Sequence, residues 1–191
     1  CFMVMRSFIA IDINAQAIVD SIKKLQSDLE SLNLNLKMVN PENIHITLQF
    51  LGDLNSSEIN ILKTVLSSVV FESFSCTLLK LGTFPNMNKI SVIWIGIDSE
   101  SSGRLLSLYN EIGQKIINAN FQIKRNSFSP HVTIARLRDD KNKGKLQNYI
   151  NKNKDMNVGL QIIDNFKLKS SLLTSGGPIY EDISVYNMDL E

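Results

Sequence analysis

The sequence predicts an α+β protein built on antiparallel sheet, and three observations carry that reading. Alternating apolar and polar runs outnumber the segments with helical spacing. Several strand-like runs are joined by short turns instead of helical crossovers, which favours antiparallel pairing. The elements also recur in a pattern: strand, helix, histidine-bearing strand, helix, two strands, helix, histidine-bearing strand, then strands. Such an order predicts two similar halves within one domain spanning residues 1–191. With 43% hydrophobic residues, the chain can bury a sizeable core.

Arg6–Ile13 reads as the first strand, with Phe8, Ala10 and Asp12 alternating against Ile9 and Ile11. Asn14 is the expected N-cap of a helix whose apolar face is Ile18, Ile22, Leu25, Leu29 and Leu32. Pro41 interrupts any helix before it. Asn43–Asp53 then alternates strictly, placing Ile44, Ile46, Leu48 and Phe50 on one face and His45, Thr47 and Gln49 on the other. Asn55 and Glu58 form a capping box for a helix carrying Ile59, Leu62, Val65, Leu66 and Val69.

Phe74–Phe84 is strand-like, with Cys76 and Leu78 on one face and Leu79 and Leu81 on the other. Gly82–Asn88 has loop chemistry. Ile90–Ile97 is a β-branched strand containing the one tryptophan, Trp94. Ser101 or Ser102 is the expected cap of a third helix bearing Leu105, Leu108, Ile112 and Ile116. Phe121–Lys124 reads as a short strand, Pro130–Leu137 as the second histidine strand, and Arg138–Lys145 as a solvated charged turn. A short helix is expected over Leu146–Asn151. Strands follow at Ile162–Leu173 and Ile179–Met188, joined by the hairpin turn Ser175–Gly176–Gly177–Pro178.

The chain has two histidines, and each precedes a threonine by two positions in a strand: His45-Ile46-Thr47 and His131-Val132-Thr133. One such histidine would be unremarkable as a structural residue. Two copies that use every histidine point to one shared site. Imidazole titrates near ~6.5, so a pair in one cleft can give one proton and take another. That suits in-line displacement at phosphorus, with the threonine hydroxyls binding non-bridging oxygens. A cyclic phosphate fits such chemistry with no cofactor and no metal.

Competing chemistries lack their sequence signals. Neither histidine has a metal-ligand partner at useful spacing in its strand, and there is no third histidine. There is no Gly-x-Ser-x-Gly elbow, P-loop or dinucleotide-binding glycine pattern. A net charge of +1 argues against a long nucleic-acid footprint and favours contact with an end or a single nucleotide. The two cysteines, Cys1 and Cys76, cannot make a disulfide framework, which suits a reducing cytosol. Cys1–Arg6 is too short for a signal segment, and no apolar run reaches membrane-spanning length. The expectation is a cytoplasmic monomer without membrane contact.

These motifs and their flanks resemble the 2H phosphoesterase superfamily, and within it the RNA 2′,3′-cyclic phosphodiesterases, also described as 2′-5′ RNA ligases or LigT-like proteins. The resemblance runs through Arg6–Asp12, Pro41–Leu48, Phe50–Asp53, Gly82–Asn86, Trp94–Gly96, Phe128–Arg136 and Gly177–Tyr180. It implies a bilobal fold, two antiparallel β-sheets lining a central cleft with helices on the outside. It implies metal-independent hydrolysis of RNA 2′,3′-cyclic phosphate ends to 2′-phosphomonoesters, reversible as ligation. His45 would then donate a proton to the 3′ leaving oxygen and His131 would activate water, with Thr47 and Thr133 holding the phosphate.

Arg136 is a further candidate phosphate contact, although alternation places it opposite His131 and Thr133 unless the strand bends. Phe8, Phe50, Phe84, Phe128 and Trp94 are candidates to stack a base, each also a plausible core residue. Lys124, Arg125, Arg136 and Arg138 could form a basic rim. Where the family often carries Pro-Arg before the tryptophan strand, this chain has Ile90-Ser91, with Lys89 nearby. The same histidine pair also suits a phosphodiesterase for small cyclic or 2′-5′-linked nucleotides, and a non-catalytic nucleotide-binding module is the alternative outside enzymes.

Overall fold

Alternation along the strands gives each one an apolar face, and the fold buries these faces beneath helices. The computed structural model describes residues 4–125, 127–139 and 143–188. The strands are β1 (Met5–Asp12), β2 (Leu36–Met38), β3 (His45–Leu54), β4 (Phe74–Asn86), β5 (Lys89–Ile97), β6 (His131–Leu137), β7 (Asn157–Ile163), β8 (Asn165–Thr174) and β9 (Gly177–Asn187). The helices are α1 (Gln16–Glu30), α2 (Ser56–Leu66), α3 (Ser99–Asn118) and α4 (Lys143–Asn153).

The pairing is antiparallel throughout, in the order β7-β4-β5-β6-β3-β1-β8-β9, with β2 beside β6. The expected two sheets are continuous, joined between β3 and β6 at the register pair Ile46–Val132. On either side of that joint the order repeats: β3-β1-β8-β9 in one half and β6-β5-β4-β7 in the other. A histidine strand is innermost in each. Helix α1 packs on β7, β2 and β6, while α3 packs on β3 and β4 and carries α2. The expected helical faces are buried at Ile18, Ile22, Leu25 and Leu29, and at Leu105, Leu108, Ile112 and Ile116.

The capping box of α2 forms as the sequence predicts: Asn55 accepts from Ser57 N and Glu58 N, and Glu58 accepts from Asn55 N. Two other caps differ. Asn14 does not cap α1; Oε1 of Gln161 in β7 accepts instead from the backbone N–H groups of Asn14 and Ala15. Helix α3 is capped by Asp98, which accepts from Ser101 N at 3.0 Å; Ser101 sits inside the first turn. Its hydroxyl also donates to Asp98 and to the carbonyl of Ser75, tying the helix to β4.

Several strand boundaries move. Gly82–Asn86 is not a loop but the far end of β4, and the turn to β5 is only Met87–Asn88. Lys80 takes a positive φ of 68°, shifting the register between Leu79 and Leu81, so Leu81 is buried with Cys76 and Leu78. Residues 121–124 form no strand. The long strand expected over Ile162–Leu173 breaks at Asp164 into β7, which pairs with β4, and β8, which pairs with β1. Strand β2 also went unpredicted. Part of the charged run, residues 140–142, lies outside the described residues, as do Cys1–Met3.

Trp94 packs flat over Gly82. A Cβ on that glycine would lie 2.3 Å from the indole ring carbons. Gly82→Ala is expected to cost about 1–3 kcal/mol through overpacking, read as a lower denaturant midpoint at unchanged m-value.

Candidate active site

The two histidines are held in the same way. Nδ1 of His45 donates to the Asn43 carbonyl at 2.7 Å, and Nδ1 of His131 donates to the Ser129 carbonyl at 2.8 Å. A carbonyl can only accept, so each neutral ring keeps its proton on Nδ1 and leaves Nε2 bare for chemistry. Nε2 of His45 lies 3.0 Å from Oγ1 of Thr47, whose hydroxyl donates to it when the ring is neutral. Aromatic rings fix both imidazoles: Phe8 tilted and Tyr180 edge-on against His45, at 5.3 and 5.4 Å between centroids, and Phe84 edge-on against His131 at 4.8 Å. Both histidines, Thr47, Thr133 and Arg136 line one cavity of about 490 Å³.

Arg136 reaches that cavity because β6 bulges. Ala135 pairs with Ile93 and Thr133 with Trp94, so Ile134 is an extra residue without a partner across the pair. Ile134 and Ala135 are both buried, and the next residue returns to the face of His131 and Thr133. A bulge re-aims side chains in this way. Strict alternation therefore misplaced Arg136. Strand β3 carries an equivalent irregularity: Gln49 pairs with Ile9 and Thr47 with Ala10, leaving Leu48 extra. Gln49 turns inward, 5% exposed, and Phe50 turns out to the cavity, 71% exposed. The sequence reading had exchanged those two faces. Relative to the bulges, Phe50 occupies in one half the place of Arg136 in the other.

Arg6, Lys37, Lys124 and Arg136 line the cavity, and no carboxylate does so among the described residues. Lys37 was missed by sequence reasoning. It lies on β2, a three-residue strand too short for a periodic signal, and is the register partner of Arg136. Its Nζ packs against Gly177 at the β8–β9 turn. Of the expected rim, Arg125 instead lies over the Tyr109 ring at 4.6 Å and donates to Asn110, while Arg138 does not line the cavity; neither does Lys89, beside the family's Pro-Arg position. Among the base-stacking candidates, Phe8, Phe50 and Phe128 line it; Phe84 and Trp94 stand behind His131.

Burial drives the His45 pKa below 6.5, because the charged ring loses water. The Asn43 carbonyl and the Asp12 carboxylate oppose that shift, while Lys169 and His131 add to it. Among the described residues, no three His, Cys, Asp or Glu side chains converge as metal ligands, and no helix is long and apolar enough to cross a membrane.

A curled antiparallel sheet whose two halves each present a histidine and a threonine to one cleft is the arrangement of the 2H phosphoesterases. Comparison with known proteins agrees. Residues 6–186 match the family described as the AKAP7 2′5′ RNA ligase-like domain. A protein of Methanocaldococcus jannaschii named RNA 2′,3′-cyclic phosphodiesterase is 38% identical over 94% of this chain and 98% of its own length. Its namesake from Methanothermobacter thermautotrophicus is 29% identical, over 97% of this chain and all of the other. The crystal structure of E. coli LigT complexed with 3′-AMP superposes with a TM-score of 0.77, at 20% identity, over 98% of this chain and all of that one. The chain belongs to the 2H phosphoesterase, 2′-5′ RNA ligase-like family.

A histidine kept neutral by burial favours the unfolded state as pH falls, because the unfolded chain binds the proton more tightly. The His45 contribution to stability is therefore full above pH 6.5 and lost as pH drops below it. Denaturation of parent and His45→Gln across pH 5–8 should show the parent losing more stability over that interval.

Proposed function

We propose that this chain is a cyclic phosphodiesterase that opens the 2′,3′-cyclic phosphate at an RNA end and leaves a 2′-phosphomonoester. The observation that carries the reading is the pair of imidazoles, each fixed by a carbonyl two residues earlier and each facing the same cation-lined cavity. The names of the archaeal relatives support the same substrate.

In the reaction, Nε2 of His131 takes a proton from water as the water oxygen bonds to phosphorus. The P–O3′ bond breaks on the opposite side, and His45 gives its Nε2 proton to O3′. Thr47 and Thr133 hold the non-bridging oxygens, and Arg136 adds a guanidinium to the same anion. These groups manage both protons and the developing charge without a metal. Burial favours the neutral form of His45 in the free protein, and an anionic phosphate beside it raises its proton affinity. Substrate binding therefore brings the acid into its working state. With a 5′-hydroxyl in the place of water, the same pair opens the cyclic phosphate into a 2′-5′ phosphodiester, the P–O3′ bond breaking as before; run backwards, that step cleaves the 2′-5′ linkage. Phe50, exposed at the cleft, offers a stacking face to a base.

The test is hydrolysis of a cyclic-phosphate-ended oligonucleotide in EDTA. The parent should turn over with a bell-shaped pH profile, and His45→Ala and His131→Ala should each lose about 10²–10⁴-fold in kcat. Activity surviving both substitutions would place the chemistry elsewhere, and a 3′-phosphate product would reverse the regiochemistry. Arg136→Ala should raise KM more than it lowers kcat, a split read from the same assay. Tight nucleotide binding without turnover by the parent would make the chain a binding module.

A further inference from the structure

The two histidines share three features: a carbonyl two residues before, a threonine two residues after, and an aromatic edge at the ring. The residue across the strand differs. Asp12 is the register partner of His45 on β1, whereas Gly96 is the register partner of His131 on β5. Residues directly opposite in an antiparallel pair present their side chains to the same face. A carboxylate therefore stands beside one imidazole, and the place beside the other has no side chain.

Asp12 belongs to a built cluster. Nζ of Lys169 lies 2.9 and 3.1 Å from its two carboxylate oxygens, and Nζ of Lys167 lies 2.8 Å from Oδ2. Both lysines also reach Asp182, at 2.5 and 2.6 Å. Lys169 is only 5% exposed. Two cations and two carboxylates leave the cluster without net charge, so its field at His45 depends on which charge stands nearest. The groups facing His45 are Asp12 from β1, Lys169 from β8, the Tyr180 phenol from β9, and His131 from β6. Asp12 favours the charged His45 ring and Lys169 opposes it; Asp12 stands directly opposite His45, whereas Lys169 lies one strand further out. In a site this poorly hydrated, such a difference is weakly screened.

We propose that Asp12, clamped by Lys169, is the positioning residue that works against the burial of His45, so that this imidazole, and not its counterpart opposite Gly96, can take up and hold the acid's proton once the phosphate arrives. The inference rests on the acid–base reading of the pair given above. Sequence symmetry supplies two interchangeable imidazoles, and Asp12 opposite Gly96 makes them unequal. Lys169 holds the carboxylate in place and limits its pull, so that His45 can still release the proton to O3′.

The test replaces each partner. In Asp12→Asn, two lysines face one carboxylate, and His45 should titrate at lower pH than in the parent. In Lys169→Met, the Asp12 charge is less compensated, and His45 should titrate at higher pH. Imidazole ¹H–¹⁵N correlation spectra of the ligand-free protein read both shifts directly. The alkaline limb of the kcat profile should move the same way, and Asp12→Asn should lose on the order of tenfold in kcat at pH 8, recovering towards pH 6. Opposite shifts support the assignment, since a merely structural role would impair both variants without reversing sign. Shifts of the same sign, or none, overturn it. If Asp12→Asn does not fold, Lys169→Met alone decides by the direction of its shift. The spectra are recorded without substrate, so the charge arrangement and the cyclic phosphodiesterase reading can fail separately.

Discussion

The cleft depends on the pairing of Ile46 with Val132. This register pair is where the two halves of the sheet meet, and both side chains are fully buried. Alternation places His45 and Thr47 on either side of Ile46, and His131 and Thr133 on either side of Val132, all on the opposite face. An apolar contact on the back of the sheet thereby sets the approach of the two imidazoles on its front. The helices press on that back face, so core packing and site geometry are parts of one constraint. Displacing either aliphatic side chain would alter the spacing between the two imidazoles without touching either ring.

Around this joint the structure is close to two-fold, and its chemistry lies in the departures. Both histidine strands bulge one residue past the threonine, which brings the fifth residue after each histidine into the cavity. One bulge presents Phe50 and the other Arg136. Asp12 faces His45 where Gly96 faces His131. A substrate phosphodiester is itself unsymmetrical, with one oxygen arriving and another leaving, so a perfectly symmetric site would be poorly matched to it.

Much of the site was legible because histidine and threonine fall at period two, and period two is read directly from sequence. What alternation could not show is where it fails. Leu48-Gln49 and Ile134-Ala135 each put two consecutive residues into the core, and nothing in those pairs announces an extra residue on the strand. Their partners across the sheet decide it. Lys37 escaped notice because three residues of strand carry no period. Asn14 and Ser101 are good cap residues in composition, yet α1 has no side-chain cap, the chain ahead of it being held by Gln161, and Asp98 caps α3, since tertiary contacts outrank local preference. Asp164 divides β7 from β8 without a glycine or proline to mark the break.

Because β1 lies between β3 and β8, the half that contains His45 is assembled from both ends of the sequence. The half that contains His131 needs only β4 to β7, which follow one another along the chain. On a ribosome, the second half can therefore close before the first, which waits for β8 and β9. Tyr180, Lys169 and Asp182, the wall around His45, belong to those two later strands. The long sequence separation between β1 and β8 also makes this closure a slow, non-local event. A nascent chain thus holds His131 in place before His45, and brings the two imidazoles to one cleft only after β9 has emerged.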